Sequence, residues 1–285
     1  MKIIRYLVLT VFIISNGYPV TKSMLAKTFK LAKPIFPYNL DIQIFESKKN
    51  DADVLIACHG YGHSNKLGNV LASINVITDH IVSFNFPDFD CIKKQTEISK
   101  SVFGTIDEIL PLLYLLKLCV IDAQADRINL YGFSAGGGAI INALSILNQS
   151  AHDESLKAIG IQPEHKKKIL SAIQNGYIIL DSPLKSMEEI IELRGETDDL
   201  VMMAARYAKN NMRPIDAIAN LKGLKLKILV HFQNPDEITG NRDDQLFFER
   251  LKKTNLGITQ LVIGNDGGHT AYHASLWKAY KEFRK

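Results

Sequence analysis

Ile128-Asn129-Leu130-Tyr131-Gly132-Phe133-Ser134-Ala135-Gly136-Gly137-Gly138 is the stretch that decides how this chain folds. Its first four residues close a mostly apolar run, Asp126 to Tyr131, of buried-strand length. The segment from Ser134 to Leu147 is rich in Ala, Ile and Leu and fits a helix. Between strand and helix, Gly132 and Gly136 flank Ser134, so the backbone can fold sharply and neighbouring side chains stay clear of the hydroxyl. Gly137 and Gly138 extend this freedom and let the helix pack close to the sheet. A serine held on such a turn is a candidate nucleophile.

The rest of the chain repeats the strand-then-helix rhythm. Asp41 to Phe45 alternates polar and apolar residues like a half-exposed strand, whereas Val54 to Cys58 and Ile81 to Phe86 are nearly continuous apolar runs. Tyr177 to Leu180, Leu226 to Phe232 and Thr259 to Ile263 add three more strands. Helices fit at Leu67 to Val76, at Glu97 to Val120 with Pro111 as a kink or break, and at His269 to Phe283. Right-handed crossovers between parallel strands then predict an α/β fold: a mostly parallel central sheet with helices on both faces. From Ser186 to Leu221 three helical pieces follow one another without a strand, which predicts a small helical cap over residues 186–222. Met202 and Met203 there either line a pocket or pack on the core.

Composition narrows the function. The chain has 285 residues, 46% of them hydrophobic, enough for one large core, and one domain over residues 24–285 is expected. The net charge of +4 comes from 34 basic and 30 acidic residues scattered through the chain, so no nucleic-acid partner is implied. The run Lys166 to Lys168 reads as a solvated helix face. Cys58, Cys91 and Cys119 have neither the spacing nor the even count of a disulfide framework or zinc site. Cys58 beside His59 is a poor nucleophile pair, because neighbours on a strand point to opposite faces.

Lys2 and Arg5 precede an apolar stretch from Tyr6 to Ile14, and Ser15, Asn16 and Gly17 follow. Residues 1–17 thus have a signal-peptide layout and predict export to the periplasm or medium. The stretch is shorter than the roughly 20 apolar residues of a membrane-spanning helix, so no stable span is expected. The alternative is a buried N-terminal strand or helix of a cytoplasmic protein.

The turn Gly132-Phe133-Ser134-Ala135-Gly136 resembles the G-x-S-x-G nucleophile elbow of the α/β-hydrolase superfamily, and the resemblance covers most of the chain from about Asp41 onwards. It places Ser134 as nucleophile, followed in chain order by an acid after a later strand and a histidine near the carboxyl end. Asp236, in the polar loop after Leu226 to Phe232, matches the acid; His269, on the loop after Thr259 to Ile263, matches the base. Asp181 occupies a place where some members carry the acid instead. Asp266 lies too near His269 in sequence to be preferred, His231 sits within a strand and reads as structural, and His273, one helical turn beyond His269, is a candidate for shaping the site.

His59-Gly60-Tyr61-Gly62-His63 resembles the His-Gly turn that helps form the oxyanion hole in that superfamily, which assigns the donors to the Tyr61 and Ala135 N–H groups. A zinc reading of His59 and His63 needs a helix that Gly60 and Gly62 oppose. The resemblance thus implies a serine hydrolase acting on a small-molecule ester, thioester or amide, with no metal or cofactor. A carboxylesterase or acyl hydrolase comes first, then a lipase or serine aminopeptidase. An acyltransferase, or a noncatalytic binding protein on the same fold, is the alternative.

Overall fold

The apolar runs pair into one sheet. The protein is described by a computed structural model that covers residues 22–31, 40–48, 53–61, 64–87, 102–269 and 273–285. Among these, seven strands lie in the order β1-β3-β2-β4-β5-β6-β7. They are β1 Gln43–Phe45, β2 Val54–Cys58, β3 His80–Ser83, β4 Ile128–Phe133, β5 Ile178–Asp181, β6 Lys227–Gln233 and β7 Ile258–Gly264. β1 runs antiparallel to β3, and every other neighbouring pair is parallel.

Parallel neighbours need crossovers, and helices supply them. In chain order these are α1 Lys22–Leu31, α2 Leu67–Ala72, α3 Ile106–Lys117, α4 Ala135–Leu147, α5 Asp153–Ala158, α6 Pro163–Asn175, α7 Met187–Arg194, α8 Asp198–Lys209, α9 Pro214–Ala217, α10 Asp244–Thr254 and α11 Ala274–Phe283. Successive strand residues point to opposite faces, so the buried strand residues divide into two apolar layers. Val54, Ile56, Leu130, Ile178, Ile228 and Val230 pack with α3, α4, α6 and α10. Leu55, Ala57, Tyr131, Ile179 and Leu229 pack with Leu67 and Leu71 of α2 and with Leu276, Trp277 and Tyr280 of α11. The helices therefore cover both faces, as the alternation of the sequence predicts.

Several boundaries differ from those expected. β3 ends at Ser83 because only His80 to Ser83 pair with β2, although Phe84 and Phe86 stay buried beyond it. α2 stops at Ala72. The chain remains helical through Pro111, where one i→i−4 bond is lost but the buried Leu112, Leu113, Leu115 and Leu116 hold the segment, and a π turn continues it over Leu118–Asp122. Between β5 and β6 the three helical pieces are present. Ser186 Oγ and Thr197 Oγ1 accept the N–H groups of Glu189 and Leu200 and so cap α7 and α8. The leader at 1–17, Cys91, Gly62 and His63 lie outside the described residues. No described helix is long and apolar enough to cross a membrane.

Candidate active site

β4 ends at Phe133 and α4 begins at Ala135, which leaves Ser134 alone on the turn between them. Its φ of 52° and ψ of −119° lie in a region a side chain rarely enters, at a cost of about 1–3 kcal/mol. The surroundings impose the conformation. The Ser134 N–H donates to the Asp181 carbonyl at 2.9 Å, and its own carbonyl accepts from Leu184 N–H at 2.8 Å and from Gly137 N–H at 2.9 Å. Gly136 is required by close approach: a Cβ there would stand 2.2 Å from the Cys58 carbonyl oxygen and push α4 off β2.

The carboxylate and imidazole come from the loops after β6 and β7. His269 Nδ1 lies 2.9 Å from Asp236 Oδ2. The same oxygen accepts from Thr239 Oγ1 at 2.9 Å, while Oδ1 accepts from the Ile238 and Thr239 N–H groups at 2.9 and 2.8 Å. Burial works to raise the Asp236 carboxyl, but the hydrogen bond and charge of His269 and the two backbone donors outweigh it and lower the value to about 2. Asp236 is therefore ionised at neutral pH, Nδ1 of His269 carries the proton, and Nε2 is left to act as a base. Asn241 Oδ1 takes the Asp236 N–H at 2.8 Å and Glu237 Oε1 takes the His269 N–H at 3.0 Å, so both loops are pinned.

Ser134 and His269 line one cavity of about 280 Å³. The Ser134 hydroxyl makes no hydrogen bond among the described residues; contacts of this kind often close only when substrate binds. The wall is largely apolar, with Phe103, Leu184, Met187, Ile190 and Leu200 contributing. Met203 is buried in the core and also reaches the cavity, whereas Met202 is exposed and does not line it, so both readings of the methionine pair hold for Met203 and neither for Met202.

The turn at Gly60 lies directly against Ser134: a Cβ on Gly60 would sit 3.0 Å from Ser134 Cβ. Tyr61 and Ala135 both line the cavity, and the Ala135 N–H is among the donors that the first turn of α4 leaves without a helical partner. His59 braces this turn. Its Nε2 accepts the Phe86 N–H at 3.0 Å, so Nδ1 carries the proton and meets the Gly60 carbonyl at 2.8 Å. With both nitrogens engaged, His59 does not suit the zinc reading, and its supposed partner His63 is outside the described residues. Cys58 is buried in the core and burial pushes its thiol up, the opposite of an activated nucleophile.

The competitors are placed elsewhere. Asp181 receives the Tyr131 hydroxyl at 2.6 Å and meets His231 Nδ1 at 2.8 Å. His273 is buried with its ring against that of His231, centroids 4.8 Å apart, and does not line the cavity. Asp266 accepts from Ser275. Three supporting residues escaped the sequence reading. Thr239, three residues after Asp236, carries the spacing of a local side-chain turn and was findable. Glu237 and Lys185 carry no such signal. Lys185 is fully buried, with its ammonium on the Gly240 carbonyl at 2.7 Å, on Asp244, and 3.4 Å from Glu189, joining the acid loop to α7.

No family model and no curated protein sequence matches the chain. Solved structures do resemble it. The carboxylesterase Cest-2923 from Lactobacillus plantarum WCFS1 aligns with a TM-score of 0.58 at 15% identity, covering 82% of this chain and 81% of that one. The thermophilic esterase Est2 of Thermogutta terrifontis aligns at 0.56 and 15%, covering 88% and 86%. The acetyl ester-xyloside bifunctional hydrolase from Caldicellulosiruptor lactoaceticus aligns at 0.55 and 17%, covering 89% and 90%. At these identities the likeness is one of fold. The chain has the α/β-hydrolase fold, with its mostly parallel seven-stranded sheet between helices.

Proposed function

We propose that this protein is a serine hydrolase that cleaves a carboxylic ester through an acyl-enzyme on Ser134. The observation that carries the proposal is the His269 Nδ1 to Asp236 Oδ2 hydrogen bond of 2.9 Å in a cavity lined by both Ser134 and His269. His269 Nε2 takes the hydroxyl proton as Ser134 Oγ attacks the carbonyl carbon. The oxyanion that forms is held by the Tyr61 and Ala135 N–H groups, each worth about 3 kcal/mol at the barrier. The tetrahedral intermediate collapses as His269 protonates the leaving alcohol. Water, deprotonated by the same imidazole, then releases the acid.

The choice of ester over amide is supported by the cavity and by the neighbours in fold. An apolar cavity of about 280 Å³ under α7 and α8 suits a short or medium acyl chain, and those helices act as the cap. The three structural neighbours named above are an esterase, a carboxylesterase and a bifunctional acetyl ester-xyloside hydrolase. The charged start and apolar run at residues 2–14 support an exported protein. Fluorophosphonate labelling followed by peptide mapping tests the nucleophile: the parent labels on Ser134 and Ser134→Ala does not. Equal labelling of both removes Ser134 from its role. A panel of ester, thioester and aminoacyl amide substrates tests the class, and a preference for the amides overturns the esterase assignment.

A further inference from the structure

A second cluster of ionisable side chains lies at the carboxyl ends of β5 and β6. Asp181 and His231 are direct partners in the strand register, and His273 caps the start of α11. All three are fully buried, and none of them lines the cavity beside Ser134. One donor atom from each lies within 4.8 Å of the other two.

Hydrogen-bond accounting shows what this cluster lacks. Ser275 gives both its N–H, at 2.9 Å, and its hydroxyl proton, at 2.7 Å, to the Asp266 carboxylate. With that proton committed, Ser275 Oγ can only accept from His231 Nε2, 3.1 Å away. A neutral His231 therefore turns the lone pair of Nδ1 towards the cluster, where Asp181 Oδ1 stands 2.8 Å off. Asp181 is an acceptor, and Tyr131 already donates to its other oxygen. Two acceptors at this distance require a proton or a metal ion between them. A second proton on His231 would answer that contact alone, and would leave both ring nitrogens of His273 buried without a partner. A single metal ion answers for all three side chains.

We propose that Asp181 Oδ1, His231 Nδ1 and one ring nitrogen of His273 form a site for one divalent transition-metal ion, with zinc the best match to two imidazoles and a carboxylate. Metal bonds of about 2.0–2.2 Å draw the three donor atoms together, and water completes the shell. The outer partners are those such a site needs. Tyr131 orients the Asp181 carboxylate, while Ser275 and Asp266 fix the His231 tautomer so that Nδ1 is the free nitrogen. The ion takes no part in the hydrolysis. It joins β5 and β6 to the start of α11.

The test measures zinc on the full chain. The purified parent retains about one zinc per chain through gel filtration, by elemental mass spectrometry. Stripping with a chelator lowers Tm, and zinc at about 100 times Kd restores it by about 5 °C. His273→Phe keeps the stability of the metal-free parent, since the lost nitrogens had no partners there, and binds zinc about 100-fold or more weakly. His269→Ala removes the other histidine–carboxylate pair and binds zinc as the parent does. A parent that holds no zinc and whose Tm ignores both zinc and chelator overturns the proposal. So does binding lost in His269→Ala but kept in His273→Phe. Should His273→Phe fail to fold, the parent's zinc content and Tm response decide.

Discussion

The strained backbone at Ser134 should make the chain more stable when this serine is replaced by glycine. With φ at 52° and ψ at −119°, a residue bearing a Cβ costs about 1–3 kcal/mol at this turn, and glycine does not. Glycine loses more freedom on folding, which takes back about 0.5–1 kcal/mol. The net gain is about 0.5–2 kcal/mol. Ser134→Ala is the matched control, since it removes the same hydroxyl and keeps the strain. At this chain length a kilocalorie moves Tm by about 2 °C, so differential scanning calorimetry should place Ser134→Gly about 1–4 °C above Ser134→Ala, with both unreactive to fluorophosphonate. A glycine variant no more stable than the alanine one would refute the claim that the elbow stores strain.

Other outcomes follow from the residues around the site. Asp236→Asn should lower kcat by about 10³–10⁴ with KM and near-ultraviolet circular dichroism unchanged, because the amide turns His269 to the wrong tautomer; a loss under tenfold would return the role to Asp181. The folded Asp236 carboxyl, at about 2, lies below its ordinary 3.8, so its contribution to stability is present above about pH 4 and is lost as pH falls through about 2. It amounts to about 2 kcal/mol, and urea unfolding of parent and Asp236→Asn should therefore converge between pH 5 and pH 2; a constant gap would contradict the shift. Lys185→Met leaves Asp244, Glu189 and the Gly240 carbonyl without their buried cation and should cost about 3–5 kcal/mol in chemical denaturation. A cost under about 1 kcal/mol would mean the lysine is not the joint between α7 and the acid loop.

How far the sequence leads depends on whether the signal is local. Val54 to Cys58 coincides with β2 because a strand buried on both faces must be apolar throughout. The nucleophile turn was legible for the same reason, since its glycines, strand and helix are adjacent in the chain. Asp236 and His269 needed the order implied by the family resemblance. Only in three dimensions do Asp236 and Asp181 differ: the register sets Asp181 beside His231, and the loop brings Asp236 to His269. Lys185 reads as an ordinary surface lysine in sequence. Its burial follows from the meeting of three segments, residues 185, 189 and 240–244, that no periodicity connects. Pro111 reads as a kink or break because local rules treat helices as isolated, whereas tertiary packing carries α3 through it.

The Asp236 carboxylate has four acceptor sites, and four donors occupy them: Ile238, Thr239 twice, and His269. These donors hold the carboxyl at about 2, far too weak a base to take the Nδ1 hydrogen from the ring. In the proposed acylation the imidazolium therefore keeps its Nδ1 hydrogen, and only the one crossing between Oγ, Nε2 and the leaving group is in flight. In mixtures of light and heavy water the acylation rate should then fall along a straight line with deuterium fraction. A bowed line would mean that the carboxylate side of the ring moves as well.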